Sequence, residues 1–233
     1  NRCVKNEQAG IGIQSGAQAV IIDNVCRGNT LAGIGVREAA SAILIRNQCL
    51  ENKMVAIGVR HGSNVYAAKN TLERTGGMPP MIAVRENSSA VVNDNTIRGG
   101  GVAGVMVQGT AVISGNRFEG NGPRQGGPPN FAAWVQGGST VSFSDNLTDR
   151  WRHALYASGA KEVHATGNTA TQFLGTAIVV RESELPAHVF GNTAVSDNGK
   201  DEVVQVTGPQ GVVQENLRKA AQRRSESGRQ PAQ

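Results

Sequence analysis

The chain has 233 residues, 39% of them hydrophobic and only 4% aromatic, with 30 glycines and no apolar run near the ~20 residues a transmembrane helix needs. This composition excludes a disordered polymer and a helical membrane span, and it suits one large domain or two small ones. Lys and Arg outnumber Asp and Glu by 23 to 18, but from Leu217 onward five cations (Arg218, Lys219, Arg223, Arg224 and Arg229) face Glu226 alone, so +4 of the net +5 lies in the tail, which argues against a nucleic-acid-binding body.

Along the chain, asparagines recur at Asn1, Asn24, Asn47, Asn70, Asn95, Asn116, Asn146, Asn168, Asn192 and Asn216, with separations of 23, 23, 23, 25, 21, 30, 22, 24 and 24. Each internal one follows a short alternating segment, such as AVIID before Asn24, AILIR before Asn47 and VYAAK before Asn70. About ten residues after each comes another segment, such as GIGV, AIGV, MIAV or GVMV. One period therefore reads as three short strands joined by three turns, with no helical stripe. A unit this small cannot bury its own apolar face, so the units must stack, each strand pairing in parallel with its copy ~4.8 Å further on. The expected fold is all-β, a parallel β-helix of nine to ten coils of roughly 23 residues over residues 1–216. The recurring Asn is expected to take a left-handed turn conformation and to bond the amide of the next Asn in the stack. Residues 217–233 are expected to form a short cap, with ENLRKAAQRRSE making one or two helical turns around Leu217 before a disordered basic tail. Because Asn1 falls in mid-coil, further protein is expected before it.

The pattern in NVCRGNTLAGIGVREAASAILIRN and its neighbours resembles the right-handed parallel β-helix proteins of the pectin-lyase-like group, in particular the loose repeats found in carbohydrate-binding proteins and sugar hydrolases. The resemblance implies a polysaccharide ligand and a secreted or periplasmic location. The resemblance leaves Ca²⁺ open as a cofactor, since relatives often use it, but this sequence lacks outward Asp clusters to hold it, and the residues themselves point to no cofactor and no metal site.

Alternation assigns Cys3, Cys26, Cys49, Leu72, Ile97 and Phe118, each two residues after a ladder Asn, to an inward column, with the thiols serving as small hydrophobes. With the interior filled, function must sit on outward columns. One reads Gly12, Gly35, Gly58, Ala83, Met106, Trp134, Tyr156, Val179, and the next Gln14, Arg37, Arg60, Arg85, Gln108, Gln136, Ser158, Arg181. Stacked like charges call for an anion, and guanidinium forks suit carboxylate or sulfate oxygens. The predicted substrate-binding strip is Arg37, Arg60, Arg85, Gln108, Trp134, Gln136, Tyr156 and Arg181, with the aromatic rings as platforms for sugars. The insertions RTGGMPP (74–80) and GNGPRQGGPPN (120–130) are expected to wall it, and Asp149, Arg150, Trp151, Arg152 and His153 are expected at the surface.

For catalysis the candidates are Arg60, His61, Glu86 and His153. A uronate lyase needs a cation to neutralise the carboxylate, which Arg60 or Arg85 could be, and a base for the C5 proton, which His61 or His153 could be. Glycoside hydrolysis needs two carboxylates ~5–9.5 Å apart; Glu38 and Glu86 stand two rungs apart, ~9.6 Å at the backbone, and strict alternation turns them inward unless the turn begins early. The polygalacturonase and alginate-epimerase motifs of the resembled group are absent. The sequence thus points first to a glycan-interacting module that binds an acidic or neutral polysaccharide along this strip, with a polysaccharide lyase, epimerase or hydrolase, or a fragment of one, and a non-catalytic protein-interaction scaffold as the alternatives. A second face, Val20 and Ile22, Ile43 and Ile45, Tyr66 and Ala68, then Val91, reads as an apolar patch expected to lie against another subunit, a neighbouring domain or a preceding N-terminal segment. Later coils replace it with Ser142, Ser144, His164, Thr166 and His188.

Overall fold

The computed structural model describes residues 1–123, 127–196, 198 and 200–221. Its 28 described strands wind into three parallel sheets, of ten, nine and nine strands. The first sheet runs from Arg2–Val4 to Leu217–Lys219, the second from Ile11–Ile13 to Glu202–Thr207 and the third from Gln18–Ile22 to Gln210–Gln214. Every strand pairs with its copies in the neighbouring coils, so a residue keeps its angular position from rung to rung, as in Cys3, Cys26, Cys49, Leu72, Ile97, Phe118.

The predicted asparagines form one continuous ladder from Asn1 to Asn216. Asn47 is typical: its backbone N–H and its Nδ2 both donate to Asn70 Oδ1, at 2.8 and 3.1 Å, and Nδ2 also donates to Ile21 O at 2.8 Å. The side chain thereby satisfies corner backbone groups that no strand partner reaches. The left-handed residue, however, is the one before each internal ladder Asn. Asp23, Arg46, Lys69, Asp94, Gly115, Asp145, Gly167, Gly191 and Glu215 have φ between 53° and 67°, and the asparagines do not. The turn therefore strains a residue of almost any type, at about 1–2 kcal/mol each where it is not Gly, so that the following Asn can point inward.

A second ladder, unforeseen from the sequence, links Asn6, Asn29 and Asn52 at the corner between the first two sheets, with Nδ2–Oδ1 distances of 2.9 Å at both steps. It ends where RTGGMPP lengthens the coil. There Arg74, 4% exposed, donates instead to Asn52 O, Met54 O and Pro79 O, and so ties the inserted loop to the corner. Burial lowers the pKa of this guanidinium, with the Glu51 carboxylate acting in the opposite direction.

The core is the filled interior of the coil. Cys26 and Cys49 are fully buried and Cys3 half-buried; all three are free thiols, and a hydrogen bond with Cys26, added to burial, pushes the Cys49 thiol well up. Trp151, expected at the surface, is 1% exposed and is the largest fully buried side chain. Its ring occupies the space left by Gly100 and Gly120, where an added Cβ would come within 3.2 and 3.0 Å of it, so the indole fills the core beside these two glycines. The other expected surface residues of that segment are exposed (Arg150) or half-buried (Asp149, Arg152, His153). At the C-terminal end, Leu217–Lys219 continues the first sheet as a strand and makes no helical turn, because pairing with Thr193–Val195 satisfies its backbone. The predicted basic tail lies outside the described residues from 222 onward.

Asn70→Ala removes the acceptor for Asn47 N–H and the donor to Leu44 O deep in the corner. At about 1–3 kcal/mol per orphaned buried group, it is expected to cost roughly 3 kcal/mol or more of unfolding free energy by urea denaturation. The same change at an exposed asparagine such as Asn64 is expected to cost under about 0.5 kcal/mol.

Candidate functional site

The two predicted columns stand in register on the outer face of the second sheet. Gly12, Gly35, Gly58, Ala83, Met106, Trp134, Tyr156 and Val179 are successive partners. Beside them, Arg37 N–H donates to Ile13 O, Arg60 N–H to Val36 O, Arg85 N–H to Val59 O and Gln108 N–H to Val84 O, so the cationic row climbs one residue per rung. A third column, Ala32, Val55, Ala103, Phe131, His153 and Thr176, faces the same way. Sequence reasoning missed it, because a local break in alternation brings residues three apart onto one face: Ala32 Cβ lies 3.9 Å from where a Cβ on Gly35 would stand.

Over the first four coils these columns form an open groove of about 570 Å³. Gly12, Gly35 and Gly58 make its open floor, which the buried Ala83 closes at one end, with Arg37, Arg60 and Arg85 as one wall and Leu31 and Met54 as the other; among the described residues neither insertion expected to wall it lines it. None of the three glycines has positive φ. A Cβ at Gly12 would meet nothing within 4 Å, and one at Gly58 would meet only the side chain of Val55, at 3.2 Å. The backbone does not demand glycine here, so the bare floor is a property of the surface.

The guanidiniums differ in their attachments. Arg37 donates from Nε to Gln14 Oε1 at 2.8 Å and pairs with Glu38 at 3.5 Å. Arg85 Nη1 donates to Gln108 Oε1 at 2.7 Å, and Gln108 Nε2 donates to Gln136 Oε1 at 2.6 Å. Arg60, between them, is exposed and makes no side-chain hydrogen bond or ion pair among the described residues.

The turn after each of these strands does begin early, since the strands end at Val36, Val59 and Val84. Glu38, His61 and Glu86 are consequently exposed rather than turned inward, with Glu38 and His61 at φ 60° and 55°. Of the catalytic candidates, Arg60, His61 and Glu86 line one shallow depression with Arg85, Asn87 and Gln108. His153 does not join them: its strand lies four strands beyond the one that precedes His61, ~19 Å at the rung spacing. Glu38, the other carboxylate considered, already accepts from Ser15 Oγ at 2.9 Å and faces Arg37.

Further along the face stands an aromatic cluster. Tyr156 stacks on Phe131 with centroids 4.7 Å apart, Trp134 meets Phe131 edge-on at 6.0 Å, and the Arg181 guanidinium lies 5.7 Å over the Tyr156 ring. Trp134 also packs on Ala83, Ala103 and Met106, which are buried, so the predicted strip is divided: the groove lining stops at Ala83 and the aromatic cluster begins beyond it. His153 Nδ1 lies 2.6 Å from Thr176 O. A carbonyl only accepts, so Nδ1 carries the proton and Nε2 keeps its lone pair. Burial lowers the His153 pKa, its hydrogen bond to Thr176 opposes that, and Arg152 and Arg181 lower it further.

On the third sheet the expected apolar row is present and one coil longer than predicted. Val20, Ile43, Tyr66, Val91 and Val112 are in register, and Val20 is 61% exposed. Ala68 alone among the predicted patch residues is buried. The row continues into Ser142, His164 and His188, whose rings stack at 5.0 Å.

Two overlapping matches, residues 1–148 and 82–217, place this sequence under the family model described as right handed beta helix region. The chain belongs to that family, and the described coils are its repeats. Neither the curated proteins nor the solved structures give a significant match.

Because His153 is held neutral by burial, the unfolded chain takes up its proton first as pH falls through 6.5. Stability is expected to decline below that point until the folded ring is also protonated, and to be undiminished by this group above it. Urea midpoints across this range, compared with those of His153→Gln, check the assignment: the substitution is expected to flatten this part of the pH dependence.

Proposed function

We propose that the protein is a glycan-interacting β-helix module, and that its ligand is an acidic polysaccharide lying along the groove of the second sheet. The observation that carries this reading is the bare floor beside a row of guanidiniums. Gly12, Gly35 and Gly58 leave open a surface that the backbone could have furnished with side chains, and Arg37, Arg60 and Arg85 border it at one cation per rung. An extended uronate chain offers a flat ring to such a floor and carboxylates to such a row, and guanidinium binds carboxylate through paired donors. Repulsion among stacked cations is relieved when the anion arrives, which favours the bound state. Arg60 is the strongest candidate contact, since Arg37 and Arg85 already hold glutamines.

A second reading, association with another protein surface, is favoured by the apolar row of the third sheet, which is separate from the groove. Five exposed or half-exposed apolar side chains in register exceed what a solvated sheet face ordinarily carries.

Two measurements address these readings. In affinity electrophoresis through polygalacturonate, Arg60→Ala is expected to weaken retardation about tenfold or more, in keeping with ~1.5–3 kcal/mol for a charge-assisted hydrogen bond. Gly35→Leu, which fills the floor without altering charge, is expected to weaken it as well; unchanged retardation in both variants overturns the groove reading. Light scattering is expected to show self-association that Ile43→Glu abolishes, whereas a monomeric wild-type chain with no partner for this face defeats the second reading.

A further inference from the structure

We infer that the groove takes the terminus of an acidic glycan chain and not a stretch from its middle. This rests on the glycan reading above and adds to it the part of the polymer that is bound. The floor is formed by one residue per coil, and the size of that residue changes abruptly along the axis. Three glycines are followed by the methyl of Ala83, and then by Met106 and Trp134. The lining of the groove ends at Ala83 and Arg85, where this step occurs.

The step is a packed wall. Met106 is 6% exposed and clusters with Ala83 and Ala103, with Trp134 packed against them. Behind it, Phe131 meets the indole edge-on at an interplanar angle of 83°, and Phe131 is in turn backed by Tyr156 at 4.7 Å and His153 at 5.1 Å. A side chain braced on one side by buried apolar residues and on the other by a ring stack does not swing aside as a loose lid would.

A chain laid on the glycine floor with carboxylates toward Arg37 and Arg60 therefore meets the wall at the next rung. Its last residue comes to rest over Gly58, against the buried Ala83 and toward Arg85, whose Nη1 is fixed by Gln108 and, through it, by Gln136. To continue past that point the polymer would have to rise over Trp134 and leave the guanidinium row. The energy of a charge-assisted contact is lost over such a displacement. The occupant committed to is thus the end of a uronate polymer, its ring edge against Met106 and Trp134 and its anionic or hydroxyl oxygens toward Arg85.

The test uses the whole chain and polygalacturonate as the probe, with calorimetric titration reporting binding sites per unit mass of polymer. The polymer is compared with itself after random chain scission, so that uronate mass stays constant while the number of ends rises. End binding predicts that sites per unit mass rise in proportion to the ends, so that halving the mean length doubles them, and that short oligomers bind as tightly as the polymer. Sites per unit mass that stay constant or fall on scission, with the polymer still binding, overturn this inference and leave the glycan reading intact. Absence of binding to polymer and oligomers alike overturns both. In the double variant Met106→Gly, Trp134→Ala the wall is removed, and a several-fold gain in sites on uncut polymer is expected. If sites on uncut polymer stay equal to the number of ends in the folded variant, the wall does not set the preference and the inference fails.

Discussion

The buried asparagine ladder is the constraint on which the rest of the molecule depends. A coil this narrow must turn between its sheets, and at each turn backbone N–H and C=O groups are left without strand partners in a setting that water does not reach. One amide side chain per coil, accepting two hydrogen bonds and donating two, accounts for them and also fixes the axial register, since each Asn is measured against the next. The left-handed residue before it is what allows that side chain to point inward. With the register set in this way, outward positions become straight rows, and a surface property such as a line of cations needs only one suitable residue at each repeat. Fold and candidate site are in this sense the same fact seen from inside and outside.

The filled interior also explains why a candidate site must be sought on the outward rows. A β-helix of this gauge has no internal cleft. Its thiols, branched aliphatics and one tryptophan fill the bore, and Trp151 and Arg74 are both buried. The buried Arg74 is costly in isolation. It is tolerated because it answers carbonyls on both sides of the inserted loop, taking up the work of the shorter Asn6, Asn29, Asn52 ladder where that ladder can no longer continue. Met54, part of the groove wall, is therefore anchored from within at its carbonyl by a buried guanidinium.

What could be read from the sequence was whatever repeats. Ten asparagines in one register announced three sheets, an inward cysteine column and two outward rows, and the pairing of Arg37 with Arg60 and Arg85 followed from counting alone. What could not be read were departures from strict alternation and events that happen once. Phe131 and His153 face outward because two consecutive residues after each of them turn inward, a local irregularity that a period of two cannot represent. Trp151 looked like a surface residue because it sits among Asp149, Arg150 and Arg152, and its burial depends on Gly100 and Gly120 from other coils. The left-handed position was assigned to Asn on conformational preference, whereas geometry gives it to whatever residue comes just before, including Arg46 and Lys69. Separation of the catalytic candidates was legible in principle, since His153 is several periods from His61, but that Arg60, His61 and Glu86 share one depression needed coordinates.

In-register winding turns length into a discrete quantity. Each coil contributes one floor residue, one wall residue and one ~4.8 Å advance, so the extent of a recognition surface can be altered by duplicating or losing a repeat without designing a new contact. A single bulky substitution in the floor row then sets where that surface stops. The outer face is thus graduated like a ruler whose marks are peptide repeats, and adding or removing a repeat changes the length of a row while keeping the same spacing at every mark.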